Sequence, residues 1–287
     1  MTNFSIVIPA KNESGGLLGL LPELFEQVSV LEVIVVDDGS SDNTAEVAES
    51  FGAKVISHNY SKGNGAAIKA GARAARGDAI IFMDGDGQHS PDDVNRLIEA
   101  YGEGYDMVVG ARGKSSQASH SRWLGNGAYN FISSLMVGHK IDDLTSGLRV
   151  VNAKKFKGFI FMLPNGFSYP TTITMAFFRA GYSVKYIPII ASERIGNSHL
   201  HVFKDGVRFF IIIFKVATLY SPLKIFFPVS SMLFFTSLSY YLFTYITDNR
   251  LTNMTVILFV ISVVVFMIGL VSEQITTLLY QNSNQED

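Results

Sequence analysis

The chain has 287 residues, 48% of them hydrophobic, with a formal net charge of −2 and no cysteine. That length suffices for one large domain or two smaller ones, and the near-neutral charge argues against a general nucleic-acid binder, whose surface is basic. Disulfides and thiolate metal sites are excluded, and a mean hydropathy of +0.25 is high for a purely soluble protein.

The opening MTNFSIVIPAKNE lacks a basic segment followed by a long apolar run, so no signal peptide is expected and the first domain is expected to fold in the cytoplasm. FSIVIPA then reads as a strand, LLGLLPELFEQV as a helix and EVIVVDD as a second strand. NTAEVAESFG follows as a helix closing on glycine, KVISHN as a strand, GNGAAIKAGARAARG as a helix of small residues, and AIIFMDGD as a fourth strand. Such alternation predicts a Rossmann-like α/β domain, with a mostly parallel sheet covered by helices on both faces. Ligands of these sheets bind outside the carboxyl ends of the strands. Three such ends carry conspicuous polar residues, Pro9 to Glu13, Asp37 to Asp42 and Asp84 to Gln88, and these are predicted to meet on one rim.

The third end, FMDGDGQHSPDD, gathers four acids directly after an apolar strand. Asp84 and Asp86 flank a glycine, which lets both carboxylates approach one point while the backbone bends sharply. Hard cations such as Mg2+ or Mn2+ take oxygen ligands and share them with a substrate diphosphate, and Gln88 offers a neutral oxygen to the same point. Ser90 followed by Pro91 reads instead as a helix cap with proline in the first turn. An EF-hand is excluded, because His89 stands where that loop needs glycine and Asn95 where it needs glutamate. KGNGAAIKAG begins as G-x-G but has Ile68 in place of the third glycine, and no P-loop motif occurs.

Toward the far end the composition changes. Between Arg194 and Lys224 the cations Arg194, Lys204, Arg208, Lys215 and Lys224 face a single acid, Asp205, among long apolar side chains. This suits a segment lying on an anionic membrane surface, with the domain before it on the cytoplasmic side. Ile225–Ile246 and Met254–Val271 then pass without a charge, each long enough to cross a bilayer. A hairpin is expected, the alternative being two buried core helices; Pro228 lies near the start of the first span, where one lost hydrogen bond is tolerable. The expected organisation is a catalytic domain at 1–198, an interfacial segment at 199–224, transmembrane helices within 225–280 (225–246 and 254–271) and a polar tail at 281–287.

In order and spacing, VIPAKNE, VIVVDDGSSDNT, KGNGAAIKAG, FMDGDGQHSP and DLTSGLRV resemble family 2 glycosyltransferases of the GT-A fold. The likeness is to polyprenyl-phosphate glycosyltransferases of the dolichyl-phosphate mannose synthase type, and it continues through ERIGNSH and LYSPLKIFFP. The resemblance implies that Pro9, Ala10, Lys11, Glu13 and Asp38 hold the base and ribose of a GDP- or UDP-linked sugar. It implies that Asp84, Asp86 and Gln88 bind Mg2+ or Mn2+ with the diphosphate, and that Arg112 and Arg122 hold the acceptor phosphate. Arg194 would close over the donor, and Asp143 would orient the acceptor or an arginine; with Asp86, Arg112 and Arg122 they make up the implied catalytic set.

The activity so implied is inverting transfer of the sugar to a dolichyl or undecaprenyl phosphate in the membrane, with no nucleic-acid partner and with self-association through the membrane helices. A phosphate monoester has its second pKa at about 6, so such an acceptor is largely dianionic at neutral pH and needs little help from a base. Alternatives are a membrane-anchored transferase acting on another lipid or a growing glycan, and a non-catalytic sugar-nucleotide-binding membrane protein. Tyr169-Pro170-Thr171 departs from the family pattern where many relatives carry an acid, which leaves sugar and acceptor recognition open. His89 reads as an ordinary loop residue, His199 and His201 as part of the basic segment, and Trp123 as a lipid anchor.

Overall fold

The computed structural model describes residues 2–113, 127, 130, 131, 133, 134, 136–166, 168–189, 214 and 218–284. Two compact units are present, Met1–Asp205 and Gly206–Asp287.

In the first unit, strand β1 (Phe4–Ala10) leads through helix α1 (Ser14–Gln27) to β2 (Glu32–Asp37), then through α2 (Thr44–Ser50) to β3 (Lys54–Ser57). Helix α3 (Asn64–Ala74), β4 (Ala79–Phe82), α4 (Pro91–Tyr101) and β5 (Met107–Arg112) follow. β1, β2 and β4 read as continuous apolar runs because helices cover both of their faces. α1 buries Leu17, Leu20, Leu21 and Leu24, the three- and four-residue spacing of one helical face. Gly71 lets α3 lie close on the sheet, since a Cβ there would come within 2.3 Å of Val7 Cγ1. α4 starts as its sequence predicts: Pro91 opens it, and Ser90 accepts from the Asp93 amide at 3.2 Å.

The chain continues with β6 (Arg149–Asn152), α5 (Ala153–Gly158), α6 (Tyr169–Arg179) and β7 (Val184–Ile189). The sheet order is β3-β2-β1-β4-β6-β5-β7. All neighbours are parallel except β6, which runs antiparallel to both β4 and β5. β6 arrives from the rim, with Arg149 opposite Phe82 at the end of β4, and therefore has to run back down the sheet. One face of the sheet carries the aliphatic core around Ile6, Ile8, Leu17, Leu24, Ile81, Leu97, Val108 and Val150. Beneath the other, Phe82 packs on Phe156 and Tyr169, with ring centroids 4.7 and 6.4 Å apart.

The second unit is built on two long helices, α7 (Leu223–Asp248) and α8 (Asn253–Asn284). Both exceed the uncharged stretches read from sequence, because polar residues at their ends continue the helix. At about 1.5 Å per residue each is longer than the roughly 30 Å hydrocarbon core of a bilayer. Asn249, in the left-handed conformation at φ 49°, ends α7 and turns the chain. The buried positions are mainly hydroxyls at seven-residue intervals, Ser230, Ser237 and Thr244 on α7 and Thr255, Ser262 and Thr276 on α8, with Tyr280 one turn beyond. Gly269 completes the α8 series, where a Cβ would lie 2.7 Å from Phe226 Cβ. Ser237 donates across the pair to the Thr255 carbonyl at 2.9 Å, and Glu273 accepts from the Leu223 amide at 3.2 Å, capping α7 from its neighbour. Phe227, Met232, Phe235, Phe243, Val264 and Ile268 all point outward. The unit thus has two helices long and apolar enough to cross a membrane.

Candidate active site

The three polar strand ends do meet. A cleft of about 460 Å³ at the carboxyl ends of β1, β2 and β4 is lined by Pro9, Ala10, Lys11, Glu13, Asp38, Asp84, Asp86 and Gln88. Local hydrogen bonds join the ends. Asn12, at φ 55°, donates its amide to Ser40 Oγ (2.9 Å) and accepts from the Ser41 amide (2.8 Å), while the Glu13 amide donates to Thr44 Oγ1 (3.0 Å).

Asp38 organises one side of the cleft. Its carboxylate accepts from Ser61 Oγ and from the amides of Lys62 and Gly63, each at 2.8 Å, and lies 2.7 Å from His58 Nδ1. Burial opposes its charge, but these partners, His58 foremost, prevail and hold the carboxyl below its ordinary range. The loop so fixed delivers Ser61, Gly63 and Asn64 to the lining. Gly63, at φ +100°, and Gly65 are pressed against the 164–166 segment, where a Cβ would meet the Asn165 and Pro164 carbonyl oxygens. Lys69 clamps the same segment through the Leu163 carbonyl at 3.0 Å and Asn165 Oδ1.

Asp84 and Asp86 occupy the turn after β4. Asp86 is buried and accepts from the Gln88 amide at 3.2 Å. The Asp84 side chain is 36% exposed, with His89 Nε2 3.9 Å from its carboxylate. Desolvation raises the Asp84 pKa, but His89, Arg112 and Arg149 outweigh it, and the net direction is down. His89 lies in the loop as expected but is buried, with no hydrogen-bond partner for Nδ1 among the described residues. Gly147 backs directly onto Asp84: a Cβ there would stand 2.3 Å from a carboxylate oxygen.

Arg112 ends β5 and is held by Asp143. Oδ2 accepts from Arg112 Nε at 2.8 Å, and Oδ1 accepts from Nη2 at 3.1 Å and from the Thr145 amide at 3.0 Å. Nη2 also donates to Thr145 Oγ1 at 2.7 Å. Burial disfavours both charges, yet the pairing wins on each side, lowering Asp143 and raising Arg112, whose charge Asp84 and Asp86 also favour. The Arg112 side chain stays 31% exposed.

Arg122 and Arg194 lie outside the described residues, as do Trp123, His199 and His201. Tyr169 and Pro170, singled out in the sequence for their bearing on sugar and acceptor recognition, line the cleft, whereas sequence reasoning missed Ser61, Gly63, Asn64, Ala67, Gly85, Thr145 and Gly147. Part of it was signalled by the glycines of KGNG and TSG, which mark close backbone approach. It also passed over Arg149, the largest fully buried side chain.

A hard divalent ion fits the donors present. Two carboxylates and an amide from the turn after β4 line one cleft. Among the described residues no three acidic, imidazole or thiol groups converge as a complete cage. An ion held by so few donors would complete its shell with substrate phosphate and water.

Comparison with known proteins places the chain. The model for glycosyl transferase family 2 matches residues 5–159, and that for the GtrB C-terminal hairpin matches residues 221–278. An uncharacterized protein of Methanocaldococcus jannaschii is 35% identical, over 53% of this chain and 67% of its own. An undecaprenyl-phosphate 4-deoxy-4-formamido-L-arabinose transferase of Pseudomonas fluorescens is 33% identical, over 58% of this chain and 54% of its own; the chain thus spans about half the length of that transferase.

Among solved structures, mannosyl-3-phosphoglycerate synthase of Rubrobacter xylanophilus superposes with a TM-score of 0.62 at 22% identity, covering 75% of this chain and 72% of its own. Glucosyl-3-phosphoglycerate synthase of Mycobacterium tuberculosis, in complex with Mn2+, UDP and glucosyl-3-phosphoglycerate, gives 0.58 at 22% identity, covering 76% and 78%. At that identity the likeness is one of fold, and the fold is GT-A.

Proposed function

Since the chain belongs to glycosyl transferase family 2, we propose that it moves a sugar from a nucleotide donor to a polyprenyl phosphate in the membrane, with inversion at the anomeric carbon. The observation that carries this reading is one cleft holding both acids of the D-x-D turn, the polar ends of β1 and β2, and, beside it, an arginine aimed by an acid. The names of relatives acting on undecaprenyl phosphate and the hairpin match support a lipid acceptor. Pro9 to Glu13 and the 61–64 loop form the nucleoside end, and Asp84, Asp86 and Gln88 would hold Mg2+ or Mn2+ beside the donor diphosphate. That ion, when bound, neutralises the charge that develops on the departing nucleoside diphosphate.

An oxygen of the acceptor phosphate attacks C1 as the C1–O bond to the diphosphate breaks, and the electron pair leaves with the nucleoside diphosphate. Arg112 draws in the acceptor phosphate, with Arg122 as its partner and Arg194 closing on the donor. Asp143 is a positioning group in this scheme: both of its oxygens are taken up by Arg112 and Thr145, and the pairing with Arg112 holds its carboxyl below the ordinary range. The sheet unit works at the cytoplasmic leaflet, with the basic 199–224 segment on the lipid surface and the hairpin as anchor.

The test is a panel of labelled UDP- and GDP-sugars offered with short polyprenyl phosphates and Mg2+ or Mn2+ to the full chain in detergent. Label in organic-extractable lipid supports the proposal. Label in long polymer, or nucleotide binding without turnover for every donor, overturns it.

A further inference from the structure

Arg149 is fully buried at the start of β6, in register with Phe82 on β4 and Val109 on β5. Its Nη1 donates to the Pro170 carbonyl (3.1 Å) and to Thr174 Oγ1 (3.0 Å), and its Nη2 donates to the Ser146 carbonyl. The guanidinium carbon stands 5.8 Å from the centre of the Tyr169 ring. All these partners are neutral, and among the described residues no carboxylate pairs with it. A buried cation of this kind is a poor way to stabilise a core, where an apolar residue of similar volume does as well or better.

Other buried groups near it are also left unsatisfied. Arg149 Nε, Ser146 Oγ and the Tyr186 hydroxyl lack hydrogen-bond partners among the described residues. Ser146 is the residue whose carbonyl Arg149 holds, and Tyr186 follows Val109 in the same row across the sheet. Buried polar atoms without partners are uncommon in native proteins, and where they cluster they call for an explanation beyond folding.

What Arg149 holds is one wall of the cleft. Pro170 belongs to the first turn of α6, and Ser146 sits between Thr145 and Gly147; Thr145, Gly147, Tyr169 and Pro170 all line the cleft. Gly147 in turn touches the Asp84 carboxylate closely enough to exclude any side chain. The guanidinium fork therefore ties two segments far apart in the chain, from behind, at the place where Asp84 must be set. Its charge also bears on Asp84 and Asp143 through the core.

We infer that Arg149 is a positioning residue for sugar transfer, fixing the 145–147 loop and the start of α6 against Asp84 without itself meeting either substrate. The inference rests on the cleft being the donor site. It is tested with Arg149→Lys, Arg149→Met and Thr174→Val in the full chain, beside wild type. Three quantities are measured: kcat and donor KM for label entering lipid, calorimetric binding of UDP or GDP, whichever matches the active donor, with Mn2+, and thermal unfolding.

Arg149→Met should lose about 100-fold in kcat, more than its donor KM rises, as expected when a wall shifts by an ångström or so. Arg149→Lys, which keeps the charge but not the fork, should recover about tenfold of that loss. Thr174→Val, which removes one acceptor and that hydroxyl's own bond to the Pro170 carbonyl but leaves the arginine in place, should lose about fivefold in kcat with unchanged nucleotide binding and a chain that still folds, at a slightly lower unfolding temperature. If Arg149→Met fails to fold, the other two variants decide. Wild-type kcat in Arg149→Lys and Thr174→Val, or losses matching only the fraction unfolded, would overturn the inference. A wild-type chain that transfers no sugar from any donor would overturn the proposed function instead.

Discussion

The two units obey opposite burial rules. In the sheet unit the interior is Ile, Val and Leu, and the polar residues that matter sit at strand ends on its rim. In the helical pair the interior is a ladder of serine and threonine, while phenylalanine, valine and methionine face out. A hydroxyl stripe would be a weak seam in water, where burying large apolar faces drives helices together. In lipid that drive is absent, and small residues that let two backbones approach closely become the better seam. Each unit is therefore ordered for a different solvent, and chemistry and anchoring are separable by mutation.

The strongest way to press that separation is Asp86→Ala. Lipid-linked product should fall by at least about a thousandfold, roughly 4 kcal/mol of transition-state stabilisation, while thermal unfolding of the full chain stays near wild type. Asp143→Asn comes next: it keeps the size of the side chain but loosens Arg112, and kcat should drop about 100-fold, with acceptor KM rising more than donor KM. Wild-type kinetics in that variant would show that Arg112 needs no aiming. In the hairpin, Ser237→Leu forces a large side chain into the seam, at a cost of about 1–3 kcal/mol, visible as a lower unfolding temperature in detergent. Transfer activity per folded molecule of the sheet unit should not change, and a matching loss there would undo the separation.

The smallest expected effect is a dependence on pH. The Asp38 carboxyl is held below its unfolded value of about 3.9, so the stability it contributes is present above that value and fades as pH falls through the lower folded one. Asp38→Asn should therefore melt below wild type at pH 7, and the gap should narrow as pH falls below the unfolded value of about 3.9. A constant gap at all pH values would mean that the carboxylate charge is irrelevant to the loop it organises.

Much of the sheet unit was legible because its signals are local. Apolar runs ending in polar residues announced β1, β2 and β4, and Ser90-Pro91 announced α4. The convergence of three strand ends followed from the α/β pattern alone. What stayed hidden depends on partners far away in the chain. Nothing in SGLRV distinguishes a solvated arginine from one whose fork is filled by Pro170, Thr174 and Ser146. Asp38 suggested a ligand for ribose, and only the folded 58–63 loop reveals how fully its oxygens are already engaged. The reversal of β6 was equally silent, because a four-residue apolar strand carries no mark of its direction.

That reversed strand has a consequence for how the protein comes into being. β1 to β4 can assemble as they are synthesised, each joined to the next by its own crossover helix, whereas β6 must wedge between β4 and β5 after both exist. The wall at Asp84, made of the 145–147 loop and the start of α6, is then complete only once β6 is in place. A refolding chain should regain sheet signal before it regains affinity for its nucleotide, making ligand capture the clock for the final step of maturation.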